Sequence, residues 1–240
     1  MRLLSRYRVA LAFLFVPAVA TALARWALGD DPIPAEIREL GYGWPALEAG
    51  RFWTPLTGAV VSKSLTFAVG PSFTLIGVVL LEHVARHWRT VVVLAGGQVV
   101  GVLLALLLTA PLRDGTSAFA VEQTRTVDFG ISVGGFACLG AWSGYLPARL
   151  RRPLRAAITC YLLCQLLLSG LIFDVSHPVG WVLGVTVGAR LVHPEHLDRT
   201  PARRPADVWW LAAALAAGTT VGSVAAWHAG GVGGPFGWGP

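Results

Sequence analysis

The stretch DFGISVGGFACLGAWSG, Asp128–Gly144, decides how the chain is read. It is apolar, carries glycine at 130, 134, 135, 140 and 144, and holds one serine near its start, Ser132. A second stretch, DVSHPVGWVLGVTVG, Asp174–Gly188, is built alike: one histidine near its start, His177, then Gly180, Gly184 and Gly188. Glycines four residues apart fall on one helix face, and small residues at that spacing let membrane helices approach closely. If both stretches are membrane helices entered from the same side, Ser132 lies about four residues in and His177 about two. At 1.5 Å per residue both then sit within roughly 5–8 Å of their helix starts. A serine held beside an imidazole is the minimum equipment for nucleophilic catalysis.

Composition supports the membrane setting. Of 240 residues, 55% are hydrophobic and 13% charged, against about 25% charged in a soluble domain. Mean hydropathy is +0.62. The formal charge of +6 is nearly all arginine, Lys63 being the one lysine. Such a balance can mark a nucleic-acid binder, but these arginines fall between apolar runs rather than in one patch. Nucleic acid is therefore not an expected partner; the lipid bilayer is. Cys138, Cys160 and Cys164 all lie in apolar runs and form no disulfide framework or zinc spacing. They are read as small packing residues, and no metal or cofactor is implied.

In chain order, the reading is an all-α, polytopic membrane helical bundle. Residues 1–28 hold a first transmembrane helix, retained rather than cleaved as a signal peptide. Residues 29–64 form an extracytoplasmic loop whose Phe52, Trp53, Leu56, Val60 and Val61 suit the membrane interface. Residues 65–192 form the core helices two to six, with spans at 65–85, 91–110, 129–146, 156–173 and 175–191. Arg149, Arg151, Arg152 and Arg155 make a short basic turn between the fourth and fifth. A cytoplasmic linker, 193–207, leads to a seventh span, 208–227, and a Gly-rich tail, 228–240, expected to be disordered. With the N-terminus cytoplasmic and the C-terminus extracytoplasmic, the inner segments hold 13 basic residues against four acids, and the outer segments six against nine. That asymmetry is the positive-inside pattern, and a cell-membrane location is the expectation. Spans four and six then both start at the outer face.

Plainer roles compete with the catalytic one. Serine in a membrane helix is commonly a packing residue, and His177 can be an interfacial histidine. Ionisable groups inside spans are nonetheless costly and default to functional hypotheses. Asp128 and Asp174 read as N-caps of the fourth and sixth spans. His83 and His87 read as interfacial.

Taken together, these residues resemble the rhomboid family of intramembrane serine proteases. Gly130-Ile-Ser132 is similar to the first three positions of the family's Gly-x-Ser-Gly motif at the outer start of the fourth core helix. His177-Pro-Val-Gly180-Trp-Val-Leu-Gly184 matches its His-x-x-Gly-x-x-x-Gly motif in full. Gly50-Arg-Phe-Trp53-Thr-Pro-Leu-Thr57 resembles the start of the family's first loop, and Glu82 the glutamate closing its second span. The resemblance covers residues 50–190 and implies a six-helix core plus one C-terminal helix, with catalytic Ser132 and His177. Two positions depart from the pattern. Val133 stands where the family has glycine after the nucleophile, and a branched side chain there is expected to crowd the site. The histidine and asparagine that stabilise the oxyanion from span two fall near Thr66 and Gly70, of which Thr66 offers one hydrogen bond. Gly130, Val133 and Thr66 are thus the supporting positions, and backbone N–H groups near Ser132 supply further donors.

Two functions stay open. One is an intramembrane serine protease that cuts single-span membrane proteins through a Ser132–His177 dyad. The alternative is a catalytically inactive rhomboid-fold protein that binds membrane-protein clients. A transporter is disfavoured, because no span centre carries a charge and no inverted repeat is visible.

Overall fold

The computed structural model describes residues 7–28, 38–61, 73–169 and 172–191. Their regular structure is helical. Extended pairing among them is limited to one bridge, in which Tyr42 and Asp128 exchange N–H···O bonds of 2.9 and 2.8 Å. The helices are α1 (Arg8–Leu28), α2 (Trp44–Glu48), α3 (Thr54–Val60), α4 (Phe73–Val84), α5 (His87–Thr109), α6 (Ala118–Arg125), α7 (Ser132–Ser143), α8 (Ala148–Ser169) and α9 (Ile172–Leu183). A π-helical turn, Gly184–Gly188, carries α9 on into Ala189–Leu191. The reading of Lys63, Thr66, Gly70 and Pro71, and that of the linker, seventh span and tail, falls outside the described residues.

Among these helices, one has the length and apolar character to cross a membrane unaided: α5 with its terminal turn, His87–Leu112, of 26 residues and hydropathy 2.6. Its apolar run Val91–Leu108, rich in Val and Leu and interrupted by Gln98, makes up most of the helix, and Pro111, which has no N–H to donate, ends it in a 3-10 turn. Arg8–Ala24 and Leu75–Val84 are shorter apolar helices.

The chain packs around α7. Every residue from Val133 to Ser143 is buried, because α4, α5 and α9 close on it from different sides. Contacts on α9 step along in register: Gly180 meets Val133, Gly184 meets Ala137 and Gly188 meets Ala141. Both numbers rise together, so α7 and α9 run parallel. On α5 the order is reversed, Gly101 meeting Val133 and Gly97 meeting Ala137, so that pair is antiparallel. Outside this core, α1 leans on α4 and α8 on α9.

Several boundaries differ from the sequence reading. The fourth helix begins at Ser132 instead of 129. The four arginines of the expected basic turn lie within the first turns of α8. Asp128 is not a helix cap: the residue before α7 is Ile131, and Asp128 is spent on the bridge to Tyr42. Asp174 is not one either, since α9 is already helical at Ile172. Of the cysteines, only Cys138 packs inside; Cys160 and Cys164 are exposed on α8.

Candidate active site

Ser132 is the first residue of α7, and His177 is the sixth of α9. The Ser132 hydroxyl Oγ lies 2.8 Å from His177 Nε2, a hydrogen bond between residues 45 apart in sequence. The contact does not arise from equal offsets into two equal helices. His177 sits roughly 8 Å beyond Ile172, so α7 starts deeper than α9, and the loop before Ser132 descends to meet it. With the proton on Nδ1, the imidazole accepts from the hydroxyl through Nε2, the arrangement a general base needs. His177 is 8% exposed. Phe136, one turn along α7, places its ring 4.8 Å from the imidazole at a 42° tilt, limiting its rotation.

The descending loop is fixed at Gly130. Its φ of +103° lies in a region that favours glycine, and open space surrounds the position where a side chain would stand. Its N–H donates to the Gly58 carbonyl at 2.7 Å. Its carbonyl accepts from Gln98 Nε2 at 3.0 Å, and the Tyr42 hydroxyl is 3.2 Å away. The same hydroxyl lies 3.3 Å from Asp128 Oδ2. Burial, and then the Asp128 carboxylate, hold the Tyr42 phenol well above its ordinary pKa, so it remains a donor. Gln98 of α5 was not singled out in sequence. A lone glutamine in the otherwise apolar run Val91–Leu108 is the signal that could have found it.

The side chain of Val133 is fully buried between Gly101 of α5 and Gly180 of α9, beside Tyr42, Val102 and Leu106. The two glycines leave the gap that the valine fills. Gly180, Gly184 and Gly188 do lie on the face toward α7, as expected. At Gly188 an added methyl would stand 3.0 Å from the Ala141 side chain; at Gly180 and Gly184 it would strike backbone carbonyls. Thr66 lies outside the described residues. The first N–H groups of a helix have no partner within it; Val133 is fully buried, so the N–H of the half-buried Ser132, at the mouth of α7, is the donor suited to a developing oxyanion. Among the described residues no group of three or more His, Cys, Asp or Glu is arranged to hold a metal ion.

Glu82 belongs to a different end of the molecule. Its carboxylate accepts the Val9 and Ala10 N–H groups at 2.8 Å each and pairs with His87 Nδ1 at 2.6 Å. Tyr7 and His83 bond beside it at 2.8 Å. His83 and Glu82 thus tie the start of α1 to the α4–α5 turn, and His87 holds Glu82 there.

The chain was compared with protein-family models, with curated proteins and with solved structures, and none of them matches it.

Proposed function

We propose that the chain is a rhomboid-like, multi-pass membrane protein that cuts single-span membrane proteins by serine catalysis near the extracytoplasmic face. The observation that carries this reading is the 2.8 Å contact of Ser132 Oγ with His177 Nε2 across two helices. His177 takes the hydroxyl proton as Ser132 attacks the scissile carbonyl. The tetrahedral oxyanion turns to the Ser132 N–H at the start of α7. The imidazolium then returns its proton to the leaving amine, and water hydrolyses the acyl-enzyme with His177 again as base.

The bilayer setting is supported by the outward faces of the helices. Phe15, Val19 and Leu23 on α1 and Leu103, Leu107 and Leu108 on α5 are exposed, Leu107 by 67% and Leu108 by 64%. Apolar side chains exposed in such strips suit lipid far better than water. The inner charge excess sets the N-terminus in the cytoplasm and the C-terminus outside.

The test is labelling of purified, detergent-solubilised protein by a fluorophosphonate, beside cleavage of a helical reporter. Labelling and cleavage that disappear in Ser132→Ala and fall by about 10²-fold or more in His177→Ala support the protease. Equal labelling of wild type and Ser132→Ala sinks it, and a client that still co-purifies with Ser132→Ala would then favour the binding function.

A further inference from the structure

Gln98 lies in the middle of α5, an apolar helix where a primary amide is costly unless both of its ends are bonded. Both ends are bonded to one short segment, and the amide also bonds the Tyr42 hydroxyl. Nε2 donates to the Gly130 carbonyl at 3.0 Å, and Oε1 accepts the Gly134 N–H at 3.1 Å. These groups lie two residues before and two residues after Ser132. The side chain itself is 0% exposed.

The second bond supplies something that α7 lacks. A helix normally satisfies an early N–H with a side-chain oxygen at its N-cap. The N-cap here is Ile131, which has no such oxygen. Gln98 provides the acceptor from a neighbouring helix instead, at the third residue of α7. Meanwhile the Gly135 N–H closes the first intrahelical bond, to Ile131 O at 3.1 Å. The N–H of Ser132 stays at the helix mouth. The first bond acts on the approach to the serine, at a glycine held in a positive-φ conformation that side chains disfavour.

We infer that Gln98 is a positioning residue for the nucleophile: its one carboxamide clamps the backbone on either side of Ser132, fixing the serine against His177 and aiming the Ser132 N–H at the oxyanion. The inference rests on the protease reading, and it gives α5 a part in holding the nucleophile. Gln98 touches neither substrate nor the reacting atoms. Its effect is on geometry, where misplacement by about 1 Å costs on the order of 10²-fold in rate.

The experiment compares wild type, Gln98→Met, Gln98→Glu and Ser132→Ala, each full-length in detergent. Three quantities are read: the second-order rate of fluorophosphonate labelling per folded molecule, the melting temperature, and hydrogen exchange of the peptide covering 130–136. Gln98→Met keeps the shape and loses both bonds. It is expected to slow labelling about 10- to 100-fold and to speed exchange across 130–136, while melting falls far less than such a loss of rate would require if it came from unfolding. Gln98→Glu keeps the acceptor for Gly134 and loses the donor to Gly130, and is expected to fall between the two. Labelling of Gln98→Met at the wild-type rate, or reduced only in step with its folded fraction, overturns the inference. Equal labelling of wild type and Ser132→Ala instead removes the protease reading. The clamp is then judged by exchange alone, and unchanged exchange across 130–136 in Gln98→Met overturns it.

Discussion

Gly184 meets Ala137 backbone to backbone: a methyl group added to Gly184 would run into the Ala137 carbonyl, which cannot move without shifting α7. This contact lies seven residues beyond His177 and five beyond Ser132, on the same parallel pair of helices. Gly184→Ala is therefore expected to cost about 1–3 kcal/mol through overpacking and to part the dyad. Fluorophosphonate labelling of the folded fraction should fall along with the melting temperature. Full labelling at an unchanged melting temperature would mean that the α7–α9 contact has slack.

Restoring glycine at position 133 is expected to harm the protein. Val133 fills the space between Gly101 and Gly180, so Val133→Gly leaves a cavity and puts glycine within a helix. The two together cost about 2 kcal/mol or more. A chemical or thermal unfolding curve in detergent reads the loss. A Val133→Gly protein that is equally stable and labels faster would return the valine to the role of an obstruction beside Ser132.

Removing Glu82 should separate stability from chemistry. Its side chain is fully buried and satisfies two N–H groups of α1 as well as His87. Glu82→Ala strands those donors and is expected to lower stability by about 2–5 kcal/mol, with Glu82→Gln milder because one acceptor oxygen remains. Labelling per folded molecule should stay at the wild-type rate, since Glu82 is remote from the dyad. A fall in that rate would show that α1 governs the site.

Phe136 is expected to act through the imidazole. Phe136→Ala removes the ring that leans on His177, frees the imidazole to turn and opens a core cavity, with a stability cost of about 3–5 kcal/mol. Phe136→Tyr keeps the ring and should retain most of the labelling rate. If Phe136→Ala, corrected for folding, labels as fast as wild type, the ring only packs.

Thiol accessibility checks the outward face of α8. Cys160 and Cys164 are exposed and Cys138 is buried. Mass spectrometry after treatment of folded protein with a small apolar maleimide should find two adducts, and three only after unfolding. Three adducts on folded protein would place Cys138 at the surface.

The dyad was legible in sequence because glycine spacing and charge parity both bear on Ser132 and His177, one through approach and the other through direction. Helix starts were less legible. Hydropathy runs smoothly through 129–131, yet the helix waits until Ser132, because Asp128 and Gly130 are held by Tyr42, Gly58 and Gln98 from other parts of the chain. Long-range partners of that kind leave no local pattern. Where Val133 packs was not legible for a related reason: Gly101, one of the two glycines it lies between, is on a helix that the motif does not mention. Cys160 and Cys164 were misread because an apolar run does not say which of its faces turns outward.

The twelve residues of α7 measure roughly 18 Å, well short of the ~30 Å hydrocarbon thickness, yet neighbouring helices surround them. On the membrane reading this helix never touches lipid, so nothing obliges its length to match the membrane. The depth of Ser132 is measured from protein neighbours, and the serine keeps that depth relative to them whether the surrounding bilayer is thin or thick.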